Sequence, residues 1–213
     1  LKDGIDSRWI DVYENEGKTS GAYSSGSYTT NPFVLMNYQG TLNDVFTLAH
    51  ELGHSMHSYF TRKTQPYVYG DYTIFLAEVA STLNEQLLAN HLLKESTDKK
   101  LKAYLINQQI ERFRTTLFRQ TMFAEFELDI HNRAEGGQAL TSDTLSSLYS
   151  ELNARYYGAT VVPDEEIAIE WARIPHFYWS FYVYQYATGI SAATALAQQI
   201  LTDGEPAIQR YLR

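Results

Sequence analysis

The sequence predicts a mainly α-helical domain with a small β element at its N-terminal end. Three observations carry this expectation. Strand and turn signals are confined to about the first forty residues. From Thr41 onward, apolar residues recur at three- and four-residue spacing. Capping residues, glycines and prolines then separate the helical stretches. A chain of 213 residues fits one domain by length.

Trp9-Ile10-Asp11-Val12-Tyr13 is a short β-rich run. Residues 17–31 are dense in Gly, Ser, Thr and Tyr and precede Pro32, a loop-and-turn composition. Phe33-Val34-Leu35-Met36-Asn37-Tyr38 reads as a strand ended by Gly40, and as a candidate edge strand to which an extended peptide could add. Thr41 or Asn43 can cap a helix running to about Tyr59, with Asp44 in its first turn, where the helix dipole favours an acid. Thr61 to Gly70 is a loop containing Pro66. Residues 72–94 form the next helix, with Phe75, Leu76, Val79, Leu83 and Leu87 at helical spacing. After a break at Ser96-Thr97-Asp98, one long amphipathic helix is expected from Lys99 to about Arg133, ended by Gly136-Gly137. Thr141 or Ser142 caps a further helix that stops near Gly158. Pro163 opens another, with Asp164, Glu165 and Glu166 in its first turn, and Pro175 interrupts it. Two helical segments follow, 176–188 and 190–202, with Gly189 and Gly204 as punctuation. The chain starts Leu1-Lys2-Asp3-Gly4, without Met, and stops at Tyr211-Leu212-Arg213 inside a helix-like stretch, so it is expected to be part of a longer protein.

Composition removes several function classes. Lys and Arg number 17 against 25 Asp and Glu, a net charge of −8. That balance opposes nucleic-acid binding, which needs cations to neutralise phosphates. No apolar run approaches the roughly 18 residues of a membrane helix, so no membrane partner is expected. The absence of cysteine excludes disulfides and Cys-ligated zinc, haem or iron–sulfur sites, and is compatible with a cytosolic location.

The chemistry concentrates at His50-Glu51-Leu52-Gly53-His54, an H-E-x-x-H pattern inside a predicted helix. On a helix the two histidines differ by about 40° and lie about 6 Å apart along the axis, so both imidazoles can face one ion. Glu51, next to the first ligand, can reach a water bound to that ion. Zinc lowers such a water's pKa to near 7, and the carboxylate can take its proton. A chance match of this pattern in a chain of this size is on the order of one per cent, from average residue frequencies.

Two histidines leave the site incomplete, since catalytic zinc usually has three protein ligands and one open position. A metzincin-like continuation needs Gly and a third His shortly after His54, and Ser55-Met56-His57-Ser58-Tyr59 does not match it. His57 shares the helix face but lies about 10 Å along the axis from His50, too far for the three histidines to share an ion comfortably. Glu78 is the better candidate. It interrupts the apolar face of Phe75-Leu76-Ala77-Glu78-Val79-Ala80, where a lone buried carboxylate is costly unless paired or metal-bound. Glu85, one heptad on and beside Asn84, is its rival and fits better as a partner to a ligand than as a ligand.

His50-Glu51-Leu52-Gly53-His54-Ser55-Met56-His57, the Glu78 helix, Gly21-Ala22-Tyr23-Ser24 and Ile174-Pro175-His176-Phe177-Tyr178 together resemble the oligoendopeptidase F branch of the thimet-oligopeptidase family of zinc peptidases. The resemblance runs over nearly the whole chain, although family members are much longer. It implies a zincin-like helical catalytic domain around a deep channel, and one zinc ion held by His50, His54 and Glu78 with Glu51 as general base. It also implies activity on oligopeptides rather than folded proteins, usually in the cytosol.

Peptide hydrolysis also requires donors for the carbonyl oxygen that becomes negative. In a helical 176–188, Tyr178, Tyr182 and Tyr186 step by four along one face. The resemblance implies substrate binding and transition-state stabilisation by a His and Tyr residues of this region, carried here to His176, Tyr182 and Tyr186. His91 and His131 read as ordinary surface or core histidines. Two rival functions stand beside the endopeptidase. An aminopeptidase needs an acid to hold the substrate's free amine, and Gly21-Ala22-Tyr23-Ser24-Ser25 lacks one. A non-catalytic helical module with structural zinc or none has no need of Glu51.

Overall fold

Pairing and capping divide the chain where its residue types change. The structure, a computed structural model, describes residues 2–212. Leu1 and Arg213, which entered the expectation about the chain ends, lie outside the described residues. A short helix, α1 (Lys2–Asp6), precedes three strands: β1 (Ile10–Asp11), β2 (Tyr23–Ser25) and β3 (Phe33–Leu35). Their order is β1-β3-β2, with β1 parallel and β2 antiparallel to β3. The expected edge strand is therefore the central one. Val34, Met36 and Tyr38 donate backbone N–H groups to Trp9, Asp11 and Val12, and β2 covers the other side. The β3 residues Phe33–Leu35 are thus paired on both sides, and among the described strands the sheet edges are β1 and β2.

The rest is helical: α2 (Leu42–Thr64), α3 (Ile74–Glu95), α4 (Lys99–Arg112), α5 (Arg119–Glu135), α6 (Ser142–Tyr157), α7 (Tyr184–Asp203) and α8 (Glu205–Tyr211). No described helix is long and apolar enough to cross a membrane. Thr41 caps α2 reciprocally: its hydroxyl accepts the Asp44 N–H at 3.2 Å and the Asp44 carboxylate accepts the Thr41 N–H at 2.9 Å. The helix passes the expected end at Tyr59 and runs to Thr64. It stops only where Pro66 forces the preceding Gln65 into an extended conformation (ψ 147°).

Residues 1–106 with 189–213 form one compact unit, and 107–188 form a second. In the first unit α3 returns antiparallel to α2: Asn84 donates to the Ala49 carbonyl at 3.3 Å, and Gly53 faces Ser81. Phe46, Ala89 and Leu105 seal one end of this pair, while Leu83, Ala193 and Ala197 join α3 to α7. A Cβ at Gly53 would stand 2.6 Å from the Ser81 Cα and 2.9 Å from the Ala80 carbonyl oxygen. Glycine is thus required by the close approach of two helix backbones. Gly189, expected as punctuation, lies inside α7, and a Cβ there would meet Glu78 Cβ at 3.2 Å.

In the second unit the expected single helix from Lys99 to Arg133 is interrupted by a π-helical turn, Phe113–Phe118, between α4 and α5. Met122, Phe123 and Phe126 of α5 pack on Leu148, Tyr149 and Leu152 of α6, with Ile174 and Val183. The segment after Pro163 is a 3₁₀ helix, Glu165–Arg173, not an α-helix. Side-chain anchors accompany this tighter winding. Buried Glu170 accepts from Arg119 at 2.5 Å, from the Tyr149 hydroxyl at 2.6 Å and from Arg173, while Trp171 donates to Ser146. The expected helix 176–188 is α-helical only in its last five residues. A 3₁₀ turn, Pro175–Tyr178, leads to a bend at Phe181 (φ 57°), and α7 starts at Tyr184.

Two stability predictions follow from these contacts. Gly53→Ala should destabilise the protein by roughly 1–3 kcal/mol through overpacking, read by urea denaturation; a neutral substitution would mean the helices are not in backbone contact. Burial alone would raise the Glu170 pKa, but hydrogen bonds from Tyr149 and Arg119, with Arg173, hold it below the ordinary carboxylate value. Its stabilisation is therefore complete above the unfolded pKa and is lost as pH falls through the lower folded value. Glu170→Gln should cost roughly 1–3 kcal/mol at neutral pH, with the gap from wild type closing in acid below about pH 4. A gap that widens in acid would contradict this sign.

Candidate metal centre

Because α2 and α3 touch at Gly53, side chains one turn away on either helix converge. His50 and His54 come from α2 and Glu78 from the second turn of α3. The Nε2 atoms of His50 and His54 lie 3.1 Å apart, and Glu78 Oε2 lies 3.3 Å from the first and 3.9 Å from the second. Among the described residues this is the one group of three His, Asp or Glu side chains able to hold a metal ion. A tetrahedral ion with bonds of 2.0–2.1 Å would set its donor atoms about 3.3 Å apart, so the spacing fits. The three side chains are partly exposed, which leaves an approach for an ion and for a fourth ligand.

Glu85 approaches His50 from the other side of the ring. Its carboxylate meets His50 Nδ1 at 2.7 Å, which orients the ring and leaves Nε2 for an ion. Ser81 Oγ donates to Glu78 Oε2 at 3.2 Å. Burial would lower the His50 pKa, but hydrogen bonds to Glu78 and Glu85 raise it to about 10. His54 falls to about 4 through burial and the neighbouring His50 charge. Glu78, despite burial, stays below its ordinary value because His50 hydrogen-bonds to it.

Glu51 is only 7% exposed, and its Oε2 is buried with no hydrogen-bond partner. Burial pushes its pKa up, His50's charge opposes this, Glu78's charge adds to it, and the Ser24 backbone N–H also bonds the carboxylate. A second link fastens the same turn: Ser24 Oγ meets Ser55 Oγ at 2.8 Å, and Ser55 donates to the Glu51 carbonyl at 2.9 Å. Strand β2 is thereby tied to α2 at the motif itself. Gly53, Ser24 and Ser55 were not singled out from sequence. The glycine inside a helical motif was the available signal, since an interior helix glycine without a packing reason costs stability.

His57 stays outside the donor set. It stacks on Tyr72 at 3.6 Å with the rings 9° apart, and the Tyr72 hydroxyl bonds Ser58. In the second unit, His176, Tyr182 and Tyr186 form one aromatic cluster. His176 lies 5.6 Å from Tyr182 and 6.2 Å from Tyr186, ring centre to ring centre. Trp179, which the sequence did not mark, packs edge-on to His176 and Tyr182. The expected stripe is not helical, and Tyr178 stands apart from it at 87% exposure.

Residues 1–212 match the model for peptidase family M3. The chain is 58% identical over its whole length to oligopeptidase PepF of Bacillus subtilis, covering 32% of that protein. It also matches the crystal structure of a Chlamydophila abortus protein (TM-score 0.84, 53% identity, 99% of this chain and 36% of that one). A further match is oligoendopeptidase-F of Enterococcus faecium (TM-score 0.70, 50% identity, 80% of this chain and 30% of that one). The chain spans about a third of the length of these relatives. With its helical fold, its histidine–glutamate centre and a match from end to end, the chain belongs to peptidase family M3.

Proposed function

We propose that this chain carries the catalytic centre of a zinc metalloendopeptidase that hydrolyses peptide bonds in oligopeptides. The names of the relatives, an oligopeptidase and an oligoendopeptidase, support the substrate class. The observation that carries the mechanism is Glu51: a buried carboxylate with one unpaired oxygen, close enough to His50 and Glu78 to feel their charges. A structural metal site has no use for such a group. His50, His54 and Glu78 would hold the ion. Zinc bound there supplies Lewis acidity, bringing the pKa of a water molecule to near 7.

Glu51 Oε2 accepts the proton of the attacking water and later delivers it to the leaving amine. Burial raises its pKa towards the range in which both transfers are balanced. Glu85, which meets His50 Nδ1, would hold that ring with Nε2 turned towards the ion. His176, Tyr182 and Tyr186 are the proposed groups that bind the peptide and donate to its developing oxyanion. No acid in residues 21–25 is available to hold a free amine, which favours internal cleavage. The proposed setting is cytosolic, as suits a chain without cysteine.

Metal analysis should find about one zinc per chain, removable by chelator. Glu51→Gln should keep the metal and lower kcat by about a thousandfold or more, as both base and charge are lost; unaltered turnover would reject the base assignment. Glu78→Ala should abolish tight zinc binding, Glu85→Ala should weaken it about 10- to 100-fold, and His57→Ala should leave it unchanged. Loss of zinc from the His57 variant with retention in the Glu78 variant would reassign the third ligand.

A further inference from the structure

Phe181 stands in the left-handed backbone region at φ 57°, which a bulky aromatic residue rarely adopts. Something must hold it there. Within the turn, Trp179 N–H donates to the His176 carbonyl and Tyr182 N–H to the Trp179 carbonyl, both at 3.0 Å. The Phe181 N–H instead leaves the turn and donates to Glu127 Oε1 on α5 at 2.7 Å. Glu127 is 1% exposed and sits among Met122, Phe123 and Phe126 in the helix that forms the core of this unit. One turn further along α5, the His131 ring lies 4.6 Å from the Phe181 ring. Phe123 and Phe126 hold Phe177 at 5.5 and 5.3 Å.

A buried acid is an expensive way to bind one backbone amide unless that amide matters. Residues 179 and 182 flank the strained position and pack against His176. Reversing φ at Phe181 would swing the chain between them and take the cluster apart. The cost of a left-handed non-glycine residue and the gain from a hydrogen bond to a carboxylate are of comparable size, so the bond decides which conformation the turn adopts.

We propose that Glu127 is a positioning residue: by clamping the Phe181 N–H it holds the 179–182 turn in the conformation that assembles the His176–Trp179–Tyr182 cluster for peptide binding. This rests on the reading of that cluster as the peptide-binding group. The clamp itself does not, and it has its own readout in the Trp179 environment.

The test uses the zinc-loaded protein labelled with fluorotryptophan, and measures zinc content, the ¹⁹F resonance of Trp179 and kcat/KM on a short peptide. Glu127→Ala should keep its zinc, shift the Trp179 resonance and lower kcat/KM about 10- to 100-fold, the effect of misplacing a binding group by about 1 Å. Glu127→Gln, which keeps a side-chain oxygen for the amide, should restore the resonance and most of the activity. Phe181→Gly added to Glu127→Ala should recover part of the loss, because glycine takes the left-handed conformation unaided; a general packing role for Glu127 would give no recovery. Glu127→Met, close to isosteric, replaces the alanine variant if that fails to fold. An unshifted resonance with unchanged kinetics overturns the proposal, as does failure of glycine at 181 to recover anything. A shifted resonance with unchanged kcat/KM overturns the peptide-binding reading of the cluster, and with it the positioning role, while leaving the zinc assignment standing.

Discussion

The contact between α2 and α3 at Gly53 and Ser81 is the constraint on which the rest depends. Two helices with ordinary side chains between them keep their axes 8–10 Å apart. Here one side contributes no side chain at all, and the backbones touch. The short Glu78 side chain can then reach the imidazoles of the neighbouring helix, to 3.3 and 3.9 Å of their Nε2 atoms. On the other side, the α7 backbone approaches Glu78 closely: a Cβ at Gly189 would stand 3.2 Å from Glu78 Cβ. The glycine in the motif is thus a spacer for the third donor as much as part of a helix.

Charge explains why so many acids gather in a small volume. Glu51, Glu78 and Glu85 all act on His50, and two of them hydrogen-bond it. Three carboxylates around two histidines would repel one another at low local dielectric without a cation among them. The two histidines are pushed in opposite directions: despite burial, hydrogen bonds to Glu78 and Glu85 raise the His50 pKa to about 10, while burial and the His50 charge lower that of His54 to about 4. The carboxylates differ by location: Glu78 faces the histidine Nε2 atoms, Glu85 meets His50 Nδ1 from behind, and Glu51 keeps one buried oxygen without a hydrogen-bond partner.

Much of this was legible in the sequence because helical spacing converts directly into geometry. That His50 and His54 share one helix face follows from the 3.6-residue period, and Thr41 with Asp44 three residues on spells the α2 cap; the approach of Glu78 and Glu85 to His50 and the stacking of His57 on Tyr72 are contacts between elements. What was not legible depends on partners distant in the chain. Nothing in Phe33–Tyr38 announces that it is flanked on both sides, since strand order is a tertiary property. The acids after Pro163 suit a helix start, yet Arg119 and Tyr149, far away in sequence, hold Glu170 in a 3₁₀ segment. The 176–188 run has helical periodicity, and the hydrogen bond from Phe181 to Glu127 accompanies a bend there that no local propensity suggests. Beside that bend, Trp179 packs edge-on to His176 and Tyr182.

The central claim is that one zinc ion sits between the first helix of the motif and the acid of the second. Anomalous diffraction recorded on both sides of the zinc absorption edge of crystals of the protein tests it most directly. The account predicts a single strong peak within about 2.0–2.2 Å of His50 Nε2, His54 Nε2 and a Glu78 oxygen. A peak ligated by His57 instead, or fully occupied zinc elsewhere with none at these three residues, would contradict it.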